Sequence, residues 1–266
     1  MNTWKKKLRF TLSFALGGVL ALLLWLVVTP VQGIPILEYH MVGHDELPDE
    51  KPYIVPTEDF SAQLDYLQQA GYTTITLREF AAAKRGDFVL PEKPIVLTFD
   101  DGYEDNATEM LPVLEQHGMK ATMFMVTNNI GLEHYLSWDQ LYDMQARGVE
   151  IGNHTANHLP LTTLTADQQS DELRLSKLML EWNGIQPVVS FSYPNGAYDM
   201  DLAQKVQDTG YLMAVTGDAG LNTFETDPVL LQRINIPHPR FGITEFRLRL
   251  LKGEIFAKLG IRQHTL

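Results

Sequence analysis

Short apolar runs alternate with segments of helical periodicity from Gly33 to the end of the chain. Ile34–Tyr39 reads as a buried strand. Phe60, Leu64 and Leu67 then recur at helical spacing behind Thr57, a candidate cap, and Gly71 ends that helix. Tyr72–Leu77 is strand-like, and Pro94–Phe99 is an uninterrupted apolar run of the kind buried on both faces. A helix is expected over Asn106–His117 with Gly118 as its stop, then a strand over Lys120–Val126. Ser137 caps a helix reaching Ala146, and Val149–Gly152 is the next strand. Thr165 opens a longer helix ending near Trp182-Asn183-Gly184, followed by a strand at Val188–Tyr193. Asp199 or Asp201 opens a helix closing near Gly210. Tyr211–Thr216 and Leu230–Ile236 are the last strands, and Ile243–Leu251 is a helix that can extend to Leu259. This alternation predicts an α/β fold with parallel strands, and about seven strand signals point to a barrel, with chemistry at the carboxyl ends of its strands.

One segment stands outside this pattern. Phe10–Val28 carries no charge, and Lys5, Lys6, Lys7 and Arg9 precede it. As a helix it would extend about 28 Å, close to the roughly 30 Å of a bilayer's hydrocarbon core. The basic flank predicts a cytoplasmic tail at 1–9, a transmembrane signal-anchor at 10–28, a linker at 29–33 and an exported domain at 34–266. A cleaved signal peptide is the alternative, but the apolar run is long for one and no small-x-small site follows Val28. The expected location is the cell membrane, single-pass, with the domain outside the cytoplasm.

Charge narrows the partners. The 266 residues carry a net charge of −12. Beyond position 30 there are 17 basic against 33 acidic residues, so the exported body stands at −16. Such a body suits neutral substrates better than anionic polymers, and nucleic acid is not expected as a partner. Cysteine is absent, which excludes a disulfide scaffold and thiolate metal sites.

Four strand ends carry unusual polar residues. Thr98-Phe99-Asp100-Asp101-Gly102-Tyr103 sets two adjacent carboxylates after an apolar strand. They repel in a dry setting unless one binds a cation, which frees the other to act as a base. Either aspartate suits either part on chemical grounds. Asn153-His154-Thr155-Ala156-Asn157-His158 offers two imidazoles four apart, expected on one side of a helical turn. One carboxylate with two histidines is a three-ligand set that leaves coordination positions open, as a catalytic metal requires. Phe191-Ser192-Tyr193-Pro194-Asn195-Gly196-Ala197-Tyr198 contains a turn whose backbone N–H groups can face a developing oxyanion. Leu37-Glu38-Tyr39-His40 ends the first strand with a histidine. Taken singly, an Asp-Gly turn, a surface histidine pair, a plain turn and a structural histidine account for these segments; their combination points to a catalytic rather than a structural metal.

TFDDGY, HTANH and FSYPNGAY, in this order and spacing, resemble the polysaccharide deacetylases (carbohydrate esterase family 4, the NodB homology domain) over roughly Ile34 to Phe246. PILEYHMVG and LQRINI resemble the branch that includes poly-N-acetylglucosamine deacetylases. The resemblance implies a distorted (β/α)7-type barrel, preceded here by the one N-terminal transmembrane helix. It implies one divalent metal ion, zinc first among the candidates, bound by Asp101, His154 and His158, with Asp100 as the catalytic base. His40 is implied as the catalytic acid, with His238 of Ile236-Pro237-His238 a second candidate. Ser192 stands where many members carry an arginine directed at the base, and Arg233 is expected to supply that charge. Asn195 replaces the aromatic residue usual after the proline. The implied activity is removal of N-acetyl groups from an N-acetylglucosamine polymer, either peptidoglycan or poly-N-acetylglucosamine. An O-acetyl esterase on a sugar polymer and a catalytically impaired carbohydrate-binding module are the alternatives. Phe246–Arg262, basic and apolar, is expected to pack on the barrel rather than lie on a membrane.

Overall fold

A computed structural model describes residues 33–43, 51–185, 187–261 and 263–264, together with positions 4, 11, 13, 16–21, 24, 25 and 29. Among the described residues no helix is long and apolar enough to cross a membrane. Nine of the nineteen positions of the expected span Phe10–Val28 lie outside them.

The strands are β1 (Ile36–Tyr39), β2 (Met41–Val42), β3 (Ile54–Val55), β4 (Thr73–Thr74), β5 (Pro94–Phe99), β6 (Thr122–Met125), β7 (Glu150–Asn153), β8 (Ser190–Ser192), β9 (Met213–Ala219), β10 (Leu231–Asn235) and β11 (Gln263–His264). The helices are α1 (Thr57–Gln69), α2 (Leu77–Arg85), α3 (Leu111–Gln116), α4 (Trp138–Ala146), α5 (Ala166–Trp182), α6 (Met200–Asp208) and α7 (Ile243–Leu259). Among the described residues, β1 and β5 to β10 pair in parallel in sequence order. β1 pairs with both β10 and β5, which closes the sheet into a seven-stranded barrel.

Side chains alternate across each strand, so the strands feed two cores. Leu37, Leu97, Met123 and Ile151 pack with Phe60 and Leu64 of α1, Leu114 of α3, Leu141 of α4 and Leu173 of α5. Ile36, Val96, Phe124, Val215 and Leu231 form the inner set, with Leu77 and Phe80 of α2 against it. Glu150 fixes the start of α2, since its Oε2 accepts from Arg78 N at 2.8 Å and Thr122 Oγ1 at 3.2 Å. Two positions along from the inner apolar residues stand Glu38, Thr98 and Arg233, all at the carboxyl-terminal mouth. The strand alternation that builds the core therefore also aims charge into the mouth.

Several local expectations change. The strand expected over Tyr72–Leu77 is confined to β4, because Thr76 caps α2: its hydroxyl accepts from Glu79 N while Glu79 accepts from Thr76 N. Pro56, not Thr57, precedes α1, and the Thr57 hydroxyl donates to Glu109 Oε2 at 3.0 Å instead. The helix expected over Asn106–His117 begins as a wide turn at Asn106–Met110 and is α-helical only over α3. Ser137, Thr165 and Asp199 cap α4, α5 and α6 through their side chains. α7 packs through Phe246, Leu250 and Gly253, the last so close to Ile234 that a Cβ would lie 2.7 Å from its Cδ1.

Candidate active site

Asp100, Asp101 and Gly102 leave β5 in a tight turn. Gly102 N donates to Asp100 O at 2.9 Å, and Asp101 takes a φ of 71°. A left-handed conformation is uncommon for a residue with a Cβ, and here it turns two consecutive side chains into one cleft. The cleft encloses about 290 Å³ and is lined by both aspartates, Glu38, His40, His154, His158, Asn195 and Arg233, with Tyr53, Tyr103 and Tyr135 among its walls.

Asp101, His154 and His158 each present a ligand atom within 4.8 Å of the others. Asp101 Oδ1 lies 3.4 Å from His158 Nε2 and 3.6 Å from His154 Nε2. His154 Nδ1 is 2.7 Å from the Ser192 carbonyl oxygen, which can only accept, so Nδ1 carries the proton and Nε2 keeps its lone pair for the cleft. Burial pushes the His154 pKa down, which favours the neutral ring that a metal needs, while Asp100 and Asp101 oppose the shift. A carboxylate and two imidazoles, one already tautomer-fixed, fit a divalent ion of the zinc type.

The two histidines are not on a helical turn. They occupy a loop after β7, in which Thr155 has a φ of 69° and His158 one of 55°. Their convergence comes from these two backbone reversals, not from helical periodicity.

Asp100 sits beside this group, 2 % exposed. Arg233 Nη1 donates to both its oxygens at 2.9 Å, and the Ser192 hydroxyl donates to Oδ2 at 3.1 Å. Burial alone would raise the Asp100 pKa, but Arg233, His154 and His40 overcome it and hold the carboxyl well below the usual carboxylate range. Arg233 reaches Glu38 Oε1 with Nη2 at 3.0 Å and the Thr216 carbonyl with Nε at 3.2 Å. Its guanidinium thus bridges two carboxylates. Burial pushes the Glu38 pKa up, with Arg233 opposing it. The sequence motifs contained Glu38 but assigned it nothing; a charge inside an apolar strand was the available signal.

His40 also lines the cleft. It offers a ring nitrogen within 4.8 Å of carboxylate oxygens of Glu38 and Asp100, and its ring lies 5.1 Å from Tyr53. His238 is elsewhere: its Nδ1 is 2.8 Å from the Ile54 carbonyl oxygen, and it does not line the cleft. Asn195 is at the rim with a φ of 56°. Behind it Gly196 has a φ of 67°, and a Cβ there would fall 2.3 Å from Gly217 Cα, so only glycine allows this turn its close approach. Tyr103 and Tyr135 stack at 5.3 Å, an aromatic wall that the motifs did not reveal as such.

Parallel strands closed into a barrel, with a carboxylate and two imidazoles that could hold a metal ion at their carboxyl ends and a second carboxylate held by arginine, are the arrangement expected of a barrel hydrolase. Comparison with known proteins agrees. A polysaccharide deacetylase family profile matches residues 89–214. YxkH of Bacillus subtilis, described as a polysaccharide deacetylase, is 34 % identical over 212 residues, covering 80 % of this chain and 74 % of that one. The chain belongs to the polysaccharide deacetylase family. The poly-beta-1,6-N-acetyl-D-glucosamine N-deacetylase of Escherichia coli K12 is 29 % identical over 144 residues, 48 % of this chain and 21 % of that protein. Among solved structures, the Streptococcus pyogenes deacetylase PplD in complex with acetate superposes with a TM-score of 0.75 at 28 % identity, covering 85 % of this chain and 99 % of the other.

Proposed function

We propose that this protein removes N-acetyl groups from an N-acetylglucosamine-containing polysaccharide outside the cytoplasmic membrane, with one divalent ion, zinc first, held by Asp101, His154 and His158. The observation that carries this is the three-ligand group with a second, arginine-held carboxylate beside it at the mouth of the barrel. Relatives named for deacetylation of poly-beta-1,6-N-acetyl-D-glucosamine and of peptidoglycan support either polymer as the substrate. The uncharged stretch Phe10–Val28 behind four basic residues supports a membrane tether with the barrel outside.

Bound at this group, the ion would supply Lewis acidity toward the acetamide carbonyl and a water made acidic. The residues of the chain do the rest. Asp100 takes a proton from the attacking water at Oδ2, the oxygen facing His154. Arg233 and Ser192 keep that carboxylate ionised and aimed before the proton arrives. The backbone N–H near Asn195 donates to the developing oxyanion. His40 gives a proton to the departing amine nitrogen from a ring nitrogen, so water and acetamide become acetate and a free amine. Tyr53, Tyr103 and Tyr135 line the cleft and offer aromatic surface to the sugar.

The test is acetate release from defined N-acetylglucosamine oligomers, with peptidoglycan and an O-acetylated sugar assayed in parallel. Asp100→Asn should lower the rate by about 10²–10⁴-fold. His40→Ala should do the same, while His238→Ala should retain the wild-type rate. An Asp100→Asn protein that works at the wild-type rate contradicts the proposal.

A further inference from the structure

The loop from His154 to His158 is held from behind. Glu172, on α5 and 8 % exposed, turns its carboxylate onto the two residues between the histidines. Its Oε2 accepts from Ala156 N at 2.9 Å and Asn157 N at 3.0 Å, and its Oε1 accepts from Asn157 Nδ2 at 2.5 Å. Three donors converge on one anion, and bonds to an ionised acceptor are about twice as strong as neutral ones. Asn153, at the end of β7, accepts from Thr155 N at 2.7 Å and from the Ser176 hydroxyl at 3.1 Å. Ser176 is one turn along from Glu172 on the same helix, and Thr155 Oγ1 accepts from His158 N at 3.0 Å. The loop contains two left-handed residues with side chains, Thr155 and His158, a backbone path that persists only where the surroundings over-determine it.

The two histidines are not equally secured. His154 is 2 % exposed at its side chain and is bonded to the Ser192 carbonyl, whereas His158 is 35 % exposed and follows the path of the loop. We propose that Glu172 is a positioning residue for metal binding, holding the His158 ring toward Asp101 and His154 by gathering the donors of Ala156 and Asn157. This rests on the metal centre proposed above. Glu172 touches no ligand atom. It sets where one ligand stands, and so how tightly the ion is held.

Zinc affinity measured on metal-stripped, full-length protein by competition with a chromophoric chelator tests this, alongside the melting temperature of the metal-free protein and the visible absorption of the cobalt form. Glu172→Gln retains the size but replaces one acceptor oxygen with a donor that faces N–H groups. Zinc binding should weaken about 10–100-fold, the range typical of lost outer-shell partners. The cobalt absorption should shift. Glu172→Asp retains the charge at shorter reach, should fall between the two, and stands in if Glu172→Gln does not fold. In a His158→Ala background the further loss on changing Glu172 should vanish, since the effect runs through that ring. A folded Glu172 variant that binds zinc as tightly as the wild type overturns the inference, as does an undiminished loss in the His158→Ala background. Wild-type protein that binds no zinc overturns the metal centre itself, a different result from either.

Discussion

Replacing Arg233 by methionine tests the electrostatics at the mouth most severely. Arg233 is 2 % exposed and touches two carboxylates, Asp100 through bonds of 2.9 Å and Glu38 at 3.0 Å. Methionine fills much of the volume but leaves both acids buried without a cation. Removing one partner of a buried ion pair costs about 3–5 kcal/mol, because the remaining charge has been stripped of water and given nothing in return. At roughly 2–4 °C per kcal/mol for a domain of this size, melting should fall by about 6–20 °C. Acetate release should fall further than stability explains, because Asp100 loses both the charge that keeps it ionised and the fork that orients it. Arg233→Lys restores a charge without the fork, so it should recover stability before it recovers rate. Thermal melts and initial rates on the three proteins, measured well below the lowest melting temperature, separate these effects. An Arg233→Met protein that melts within 2 °C of wild type by the same scale and deacetylates normally would refute the reasoning.

Two further outcomes follow from geometry. Gly196→Ala should destabilise by more than about 1 kcal/mol and slow acetate release, because its φ is 67° and the new Cβ would meet the backbone of Gly217 at 2.3 Å; wild-type melting in that variant would contradict the close approach. Asp105 should make stability fall with rising pH. Burial, with Glu109 adding to it, pushes its pKa up to about 7, against 3.8 ordinarily. Below 3.8 both folded and unfolded chains hold the proton. Between 3.8 and 7 only the folded chain does, so its advantage drains away as pH rises through that window and is flat above it. The ceiling is about 4 kcal/mol at ~1.4 kcal/mol per pH unit. Urea unfolding from pH 4 to 8 should show Asp105→Asn gaining on the wild type as pH rises, and parallel curves would contradict it.

Much of the site could be read from the sequence because polar residues interrupt apolar strands. Asp100 and Asp101 end the run Pro94–Phe99, Glu38 sits between the core residues Leu37 and Tyr39, and Arg233 between Leu231 and Ile234. Alternation places such residues on the inward face, and a barrel brings inward faces together. What periodicity does not encode is the sign of φ. The histidines were expected on a helix, yet they converge through left-handed turns at Thr155 and His158. The fixing of that loop by Glu172 was equally silent, because a glutamate on an amphipathic helix reads as a solvated face until its partners, fifteen and sixteen residues away, are placed. Helix α2 was missed for a different reason. The strand-like composition of Tyr72–Leu77 points to a strand, and the signal that overrides it, Thr76 with Glu79 three residues on, is a capping box that strand propensity does not register. Ser192 illustrates a third case. Arg233 was the expected replacement for the arginine missing at Ser192, and the barrel sets it on Asp100 from a strand far along the chain; the bond of the serine hydroxyl to the same carboxylate had no signal in the sequence.

The measurement closest to the central claim is a zinc titration of metal-stripped protein with acetate release from an N-acetylglucosamine oligomer followed in the same sample. One equivalent of zinc should restore the activity that chelation removes, with the break in the two curves coinciding, and Asp101→Ala should show neither binding nor rate. Activity that survives complete removal of metal, or zinc uptake unaffected by Asp101→Ala, would contradict the account.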